Sequence, residues 1–123
     1  MKTMHSQFPE YHTSADNLDF IKTEALTDSF EKYLSIIFTL ENNFFYLNTN
    51  PKCEPQLSKR GIYSKIGSKP NCSEKELALL WVLNMSDGKN SLLDISTKSG
   101  IDFITIKQSA NVLFEQGLLE LKH

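Results

Sequence analysis

Apolar residues return every three or four positions in two long stretches of the chain, and the segments outside those stretches lack that period. From Thr23 to about Asn43, Leu26, Phe30, Tyr33, Leu34, Ile37 and Leu40 form one stripe while Asp28, Glu31, Lys32 and Glu41 face elsewhere, which predicts the longest helix. Ile36 and Phe38 widen the apolar surface beyond one stripe, so this helix needs partners on more than one side. Phe44, Phe45, Tyr46 and Leu47 follow as a short strand or an aromatic anchor.

The second stretch runs from Ser73 to Leu121 and predicts three helices and a closing strand. Ser73 caps the first helix, with Glu76 as its return partner in a capping box, and Leu77, Leu80, Trp81 and Asn84 recur at helical spacing. Asp87-Gly88 is expected to end it, because glycine accepts the left-handed backbone of a C-terminal cap. A short helix fits Leu92 to Ser99 and stops at Gly100. Asp102 then caps a third that runs to Gln116 and is closed by Gly117, leaving Leu118 to Leu121 free to extend. Helix, short helix, turn, long helix and strand is the layout of a small winged-helix or helix-turn-helix module, in which Trp81 belongs to the core.

The unpatterned segments differ from one another. Residues 1–16 are rich in His, Tyr, Phe and Pro; Pro9 fixes its own backbone and pushes Phe8 toward an extended form, so Tyr11 and His12 are presented on a stiff loop. Asp16 is a possible cap for the short run Leu18 to Ile21. Residues 49–72 are rich in Pro and Gly and carry Lys52, Lys59, Arg60, Lys65 and Lys69 against Glu54 alone. This basic connector reads either as a solvated linker or as an arm that docks on an acidic surface or a phosphate.

Charge changes the meaning of the helix-turn-helix pattern. The net formal charge is -2 and the pI about 5.9, so there is no overall attraction to nucleic acid. The candidate recognition helix offers Lys107 against Asp102 and Glu115, and no arginine occurs from Ser73 onward. Gln108 and Asn111 could face base edges, but phosphate contacts from Lys and Arg supply most DNA affinity. Protein docking or oligomerisation is therefore expected of this module, and DNA is not. With 123 residues, 40% of them hydrophobic, the chain holds one modest domain, or a small domain and a piece of another. Cys53 and Cys72 lack the spacing of a metal or redox pair and read as reduced thiols. No signal-peptide pattern opens the chain and no run of about 20 apolar residues occurs, so the expected location is cytoplasmic, with no membrane contact.

His12 is the one candidate for metal chemistry, beside Tyr11 with Glu10, Asp16 and Asp19 nearby, but no second ligand stands at HxxxH or HxD spacing. The runs FPEYHTSADNLDFI (Phe8 to Ile21), LENNFFYLNTNPKCEPQLSKRGIY (Leu40 to Tyr63) and ALLWVLNMSDGKNSLLDIS (Ala78 to Ser96) resemble the final part of a bacterial family of aminopeptidase-like proteins associated with polysaccharide biosynthesis. That family is similar to two-zinc exopeptidases and ends in a winged helix-turn-helix domain. The resemblance implies that His12 is the last zinc ligand of an intact parent enzyme, with Tyr11 close to that site. The other ligands and the general base would lie upstream, so Met1 reads as the start of a truncated chain that is not catalytic alone and for which no cofactor is expected without its parent.

The resulting expectation is a mainly α chain with a small β wing. Residues 1–48 would be the remnant of an α/β aminopeptidase-like domain, 49–69 the basic connector, and 70–123 a winged helix-turn-helix domain. The partner would be a protein: another copy, or an upstream aminopeptidase-like half. The alternative is a small DNA-binding transcription regulator.

Overall fold

The computed structural model of the chain describes residues 3, 4, 6–53, 55–62 and 73–122. Met1, Glu54, Tyr63, Lys65, Lys69 and Cys72, named above, lie outside the described residues. The chain divides into two compact units, Met1–Glu41 and Asn42–His123.

The first unit is a run of tight turns followed by one long helix, α1 (Thr23–Asn42). The turns are built locally: Thr13 donates its amide and its hydroxyl to the Glu10 carbonyl, and the Asn17 carboxamide accepts from the Asp19 amide. In α1, Asp28 and Lys32 pair at 2.9 Å across one helical turn. None of the residues of α1 is buried.

The second unit contains β1 (Phe45–Asn48), a 3-10 turn at Leu57–Arg60, α2 (Glu74–Met85), β2 (Asp87–Ser91), α3 (Leu92–Ser99), α4 (Phe103–Glu115) and β3 (Leu119–Leu121). Its core joins Ala78, Leu79, Val82 and Leu83 of α2 to Leu92 and Ile95 of α3, Phe103, Ile106, Ala110 and Leu113 of α4, and Leu118 and Leu119 beyond. Capping sets the helix starts. Ser73 and Glu76 form the expected capping box, Asp102 accepts from the Ile104 amide, and Ser91 and Asp94 form a second box that opens α3. Gly100, with φ +71°, ends α3 as expected.

Gly88 has a different role from the expected one. The helix before it stops at Met85, and Asp87-Gly88 begins β2 instead. Asp87 accepts the amides of Lys89 and Asn90, which turns the chain out of the helix direction. Gly88 adopts φ +75°, and a Cβ there would lie 2.9 Å from the Cδ of Lys122, whose ammonium donates to the Gly88 carbonyl.

The three strands form an antiparallel sheet in the order β2-β1-β3. Its middle strand therefore enters from ahead of α2, not from a hairpin that follows α4. β1 and its neighbours are tied in on several sides: Asn43 accepts the Leu93 amide at the start of α3, Phe44 accepts the Leu92 amide, and Asn48 donates its carboxamide to Leu83. The second compact unit accordingly begins at Asn42 and includes β1.

The described part of the basic connector is also incorporated. Leu57 is 1% exposed and part of the core, and the Arg60 guanidinium donates to the Gln116 carbonyl that ends α4. A cation at a helix C-terminus satisfies an otherwise unpaired carbonyl and complements the helix dipole. The chain's single arginine thus commits one guanidinium nitrogen to a carbonyl within the fold.

Candidate functional site

Three places could carry function. The first is the turn segment around His12. Its residues fold onto one another: Phe8 meets Tyr11 edge-on at 5.5 Å and stacks on Phe20 at 5.7 Å, and Tyr11 lies against the His12 ring at 4.1 Å. His12 is exposed and takes the left-handed backbone at φ +59°, a conformation uncommon for residues with a Cβ and shared in this segment by Ser6 at φ +63°. Among the described residues no three His, Cys, Asp or Glu side chains converge as a metal-holding group. The residues present therefore do not by themselves fit a zinc ion, which needs three or four protein ligands.

The second place is the outward face of α4. At 100° per residue, Phe103, Ile106, Ser109, Ala110 and Leu113 face the core, and Ile104, Gln108, Asn111 and Glu115 form the opposite stripe. Val112 flanks that stripe on one side and Lys107 on the other, while Phe114 stands at the border with the core face and packs edge-on to Tyr46 at 6.0 Å. Ile104, Val112 and Phe114 are 50%, 41% and 49% exposed. This face is half apolar, with neutral amides between.

The third is a cleft of about 720 Å³ beside α2. Leu77, Leu80, Trp81 and Asn84 form one wall and Asn50, Pro51, Cys53 and Pro55 the other. Cys53 is a free, exposed thiol. Ser86 lies at the cleft, buried, with no hydrogen-bond partner for its Oγ among the described residues. The expectation for Trp81 holds in part: it packs on the core from a partly buried position and also lines the cleft.

Two carboxylates of the second unit sit below the usual carboxylate range. Asp87 is held down by the backbone amides of Lys89 and Asn90, and Asp94 by the amide and then the hydroxyl of Ser91. Both shifts come from turn and cap geometry, so neither marks a catalytic acid. Burial raises Tyr46.

Residues 44–121 match a family profile described as winged helix-turn-helix. The chain belongs to the winged helix-turn-helix family. Residues 1–43 match a second profile, described as a domain of unknown function. The chain is 57% identical over 114 residues to a Clostridium acetobutylicum protein provisionally named a polysaccharide biosynthesis protein with aminopeptidase-like domain. That match covers 93% of this chain and 26% of the relative, so the chain spans about a quarter of the relative's length. A crystal structure of a Clostridium acetobutylicum protein provisionally named a peptidase superposes with a TM-score of 0.80 at 53% identity, over 94% of this chain and 24% of that one. The resemblance drawn from the YHTSAD and EPQLSKRGIY runs is thus to a relative with an aminopeptidase-like domain, as expected.

Sequence reasoning missed the contacts that join distant residues. Asn43 to Leu93 spans 50 positions and Arg60 to Gln116 spans 56, and no local pattern signals either. Leu57 carried one usable signal, an apolar residue two positions after a proline inside a supposed linker.

Proposed function

We propose that this chain is an accessory portion of a zinc-dependent aminopeptidase-like protein, catalytically silent alone. Residues 1–43 would belong to the aminopeptidase-like body, and the winged-helix unit would dock on protein rather than read DNA. The observation that carries the docking reading is the outward face of α4. Where a DNA-reading helix needs phosphate anchors around its base-reading side chains, this one has Ile104, Val112 and Phe114 half exposed, Lys107 as its one base, and Glu115 in the central stripe. Exposed aliphatic and aromatic side chains between neutral amides suit a protein surface, where apolar contact gives affinity and the amides fix register.

In the parent, His12 would be one zinc ligand, with the other donors and the catalytic base supplied by the aminopeptidase-like body. Tyr11, packed on the His12 ring, would hold that ring in position.

The test is a fluorescence-anisotropy titration of the full chain with duplex DNA at low salt, beside sedimentation velocity of the wild type and of Ile104→Glu. No DNA binding at micromolar protein is expected. Self-association that Ile104→Glu removes would identify a second copy as the docking partner. Binding to DNA that weakens steeply with added salt would instead establish the regulator reading.

A further inference from the structure

Among the described residues, α1 exposes more large hydrophobic side chains than any other element. Leu26, Phe30, Tyr33, Leu34, Ile36, Ile37, Phe38 and Leu40 are between 37% and 72% exposed. At 100° per residue they cover an arc of about 200°, centred on Leu26, Ile37 and Phe30. Glu24, Asp28, Glu31, Lys32, Ser35 and Thr39 occupy the rest; within the arc the polar side chains are Thr23, Thr27, Ser29, whose hydroxyl donates to the Ala25 carbonyl, and Glu41, so the wider side is mainly apolar and the narrower side, Ala25 apart, polar.

We propose that this arc is the seam by which α1 packs onto the aminopeptidase-like body that forms the rest of the relative's chain. The inference rests on reading residues 1–43 as part of that body and adds which surface joins them. The breadth of the arc selects the occupant. A two-stranded coiled coil with a second copy uses a narrow seam with apolar residues at two of every seven positions. Pairing on Leu26, Phe30, Tyr33 and Ile37 would leave Ile36, Phe38 and Leu34 in water at the flanks. An arc of this width is that of a helix lying on an extended apolar layer, such as one face of a sheet, with a second neighbour beside it. About three quarters of the relative lies outside the matched region, enough chain to supply such a layer. Residues 1–43 match a profile of their own, separate from the winged helix, which fits an allegiance to a different body.

The experiment compares the full chain with a chimera in which it replaces the matching segment of the Clostridium acetobutylicum relative. Hydroxyl-radical footprinting should label Phe30, Tyr33 and Ile37 readily in the isolated chain and several-fold more slowly in the chimera. Ile37→Glu should lower the chimera's melting temperature and leave that of the isolated chain unchanged, while Ser35→Lys, on the water-facing side, should leave both unchanged. Equal labelling in the two proteins overturns the proposal. So does concentration-dependent protection of Ile37 in the isolated chain together with a sedimenting dimer, which would make a second copy the occupant. A chimera that does not accumulate in folded form also counts against it, since a seam shared with so similar a relative should accept the replacement. Ile104→Glu serves as the separate control: it probes docking through α4 and should not change the α1 footprint, so failure of one reading is distinguishable from failure of the other.

Discussion

Ser91 and Asp94 show how single residues hold the winged-helix unit. The Ser91 hydroxyl accepts the Asp94 amide, and the Asp94 carboxylate accepts the Ser91 amide and hydroxyl, so one cap fixes both the end of β2 and the start of α3. Ser91→Ala should destabilise the unit by about 0.5–2 kcal/mol in urea denaturation, the usual range for losing such a cap. The Asp94 and Asp87 carboxyls both titrate below their ordinary value in the fold. A depressed folded pKa gives stability that is fully present above the unfolded carboxylate pKa of about 3.9 and is lost as pH falls toward the folded value. The melting temperature should accordingly fall below about pH 4, and Asp94→Asn should flatten that slope. Gly88→Ala should cost more than the ordinary glycine-to-alanine change, since it forces a left-handed alanine and displaces Lys122.

At the level of elements, local signals were legible and distant pairings were not. Helix starts at Ser73 and Asp102, the stop at Gly100 and the strand at Leu119–Leu121 follow from caps, left-handed glycines and apolar spacing within a few residues. β2 was missed because Asp87-Gly88-Lys89-Asn90-Ser91 has no apolar alternation; its pairing with β1 comes from backbone bonds, and its direction from the Asp87 turn. The connector was misjudged for a related reason. Its composition is that of a linker, yet Leu57 fills a place in the core and Arg60 ends α4. Leu57→Ala should therefore destabilise the winged-helix unit by about 2–5 kcal/mol, as for other buried leucines, by thermal or urea denaturation. Ile36→Ala, on the exposed arc of α1, should change the stability of the isolated chain by less than about 0.5 kcal/mol. The same contrast predicts that residues 73–123 alone, lacking β1 and Leu57, do not fold cooperatively.

Across the whole molecule, two kinds of surface sit on one chain. The winged-helix unit buries a continuous core, and α1 leaves partly exposed apolar side chains whose full burial would contribute about 1 kcal/mol each, roughly half of the value for a side chain that starts fully exposed. The candidate zinc ligand was legible only through the family motif around it. Position, exposure and the Tyr11 contact are now defined for His12, while a full ligand set is not found among the described residues. Equilibrium dialysis should show weak zinc binding by the chain, unchanged in its winged-helix fold by a chelator. No helix of the described residues is long and apolar enough to cross a membrane, so the exposed arc of α1 is not a membrane span. Native-state hydrogen exchange on the full chain tests the two-part organisation most directly. The amides of α2, α4 and β1 should exchange only through global unfolding of residues 42–122. Those of α1 should exchange far faster, as expected for a helix none of whose residues is buried. Protection of α1 equal to that of α4, lost at the same denaturant concentration, would contradict the account.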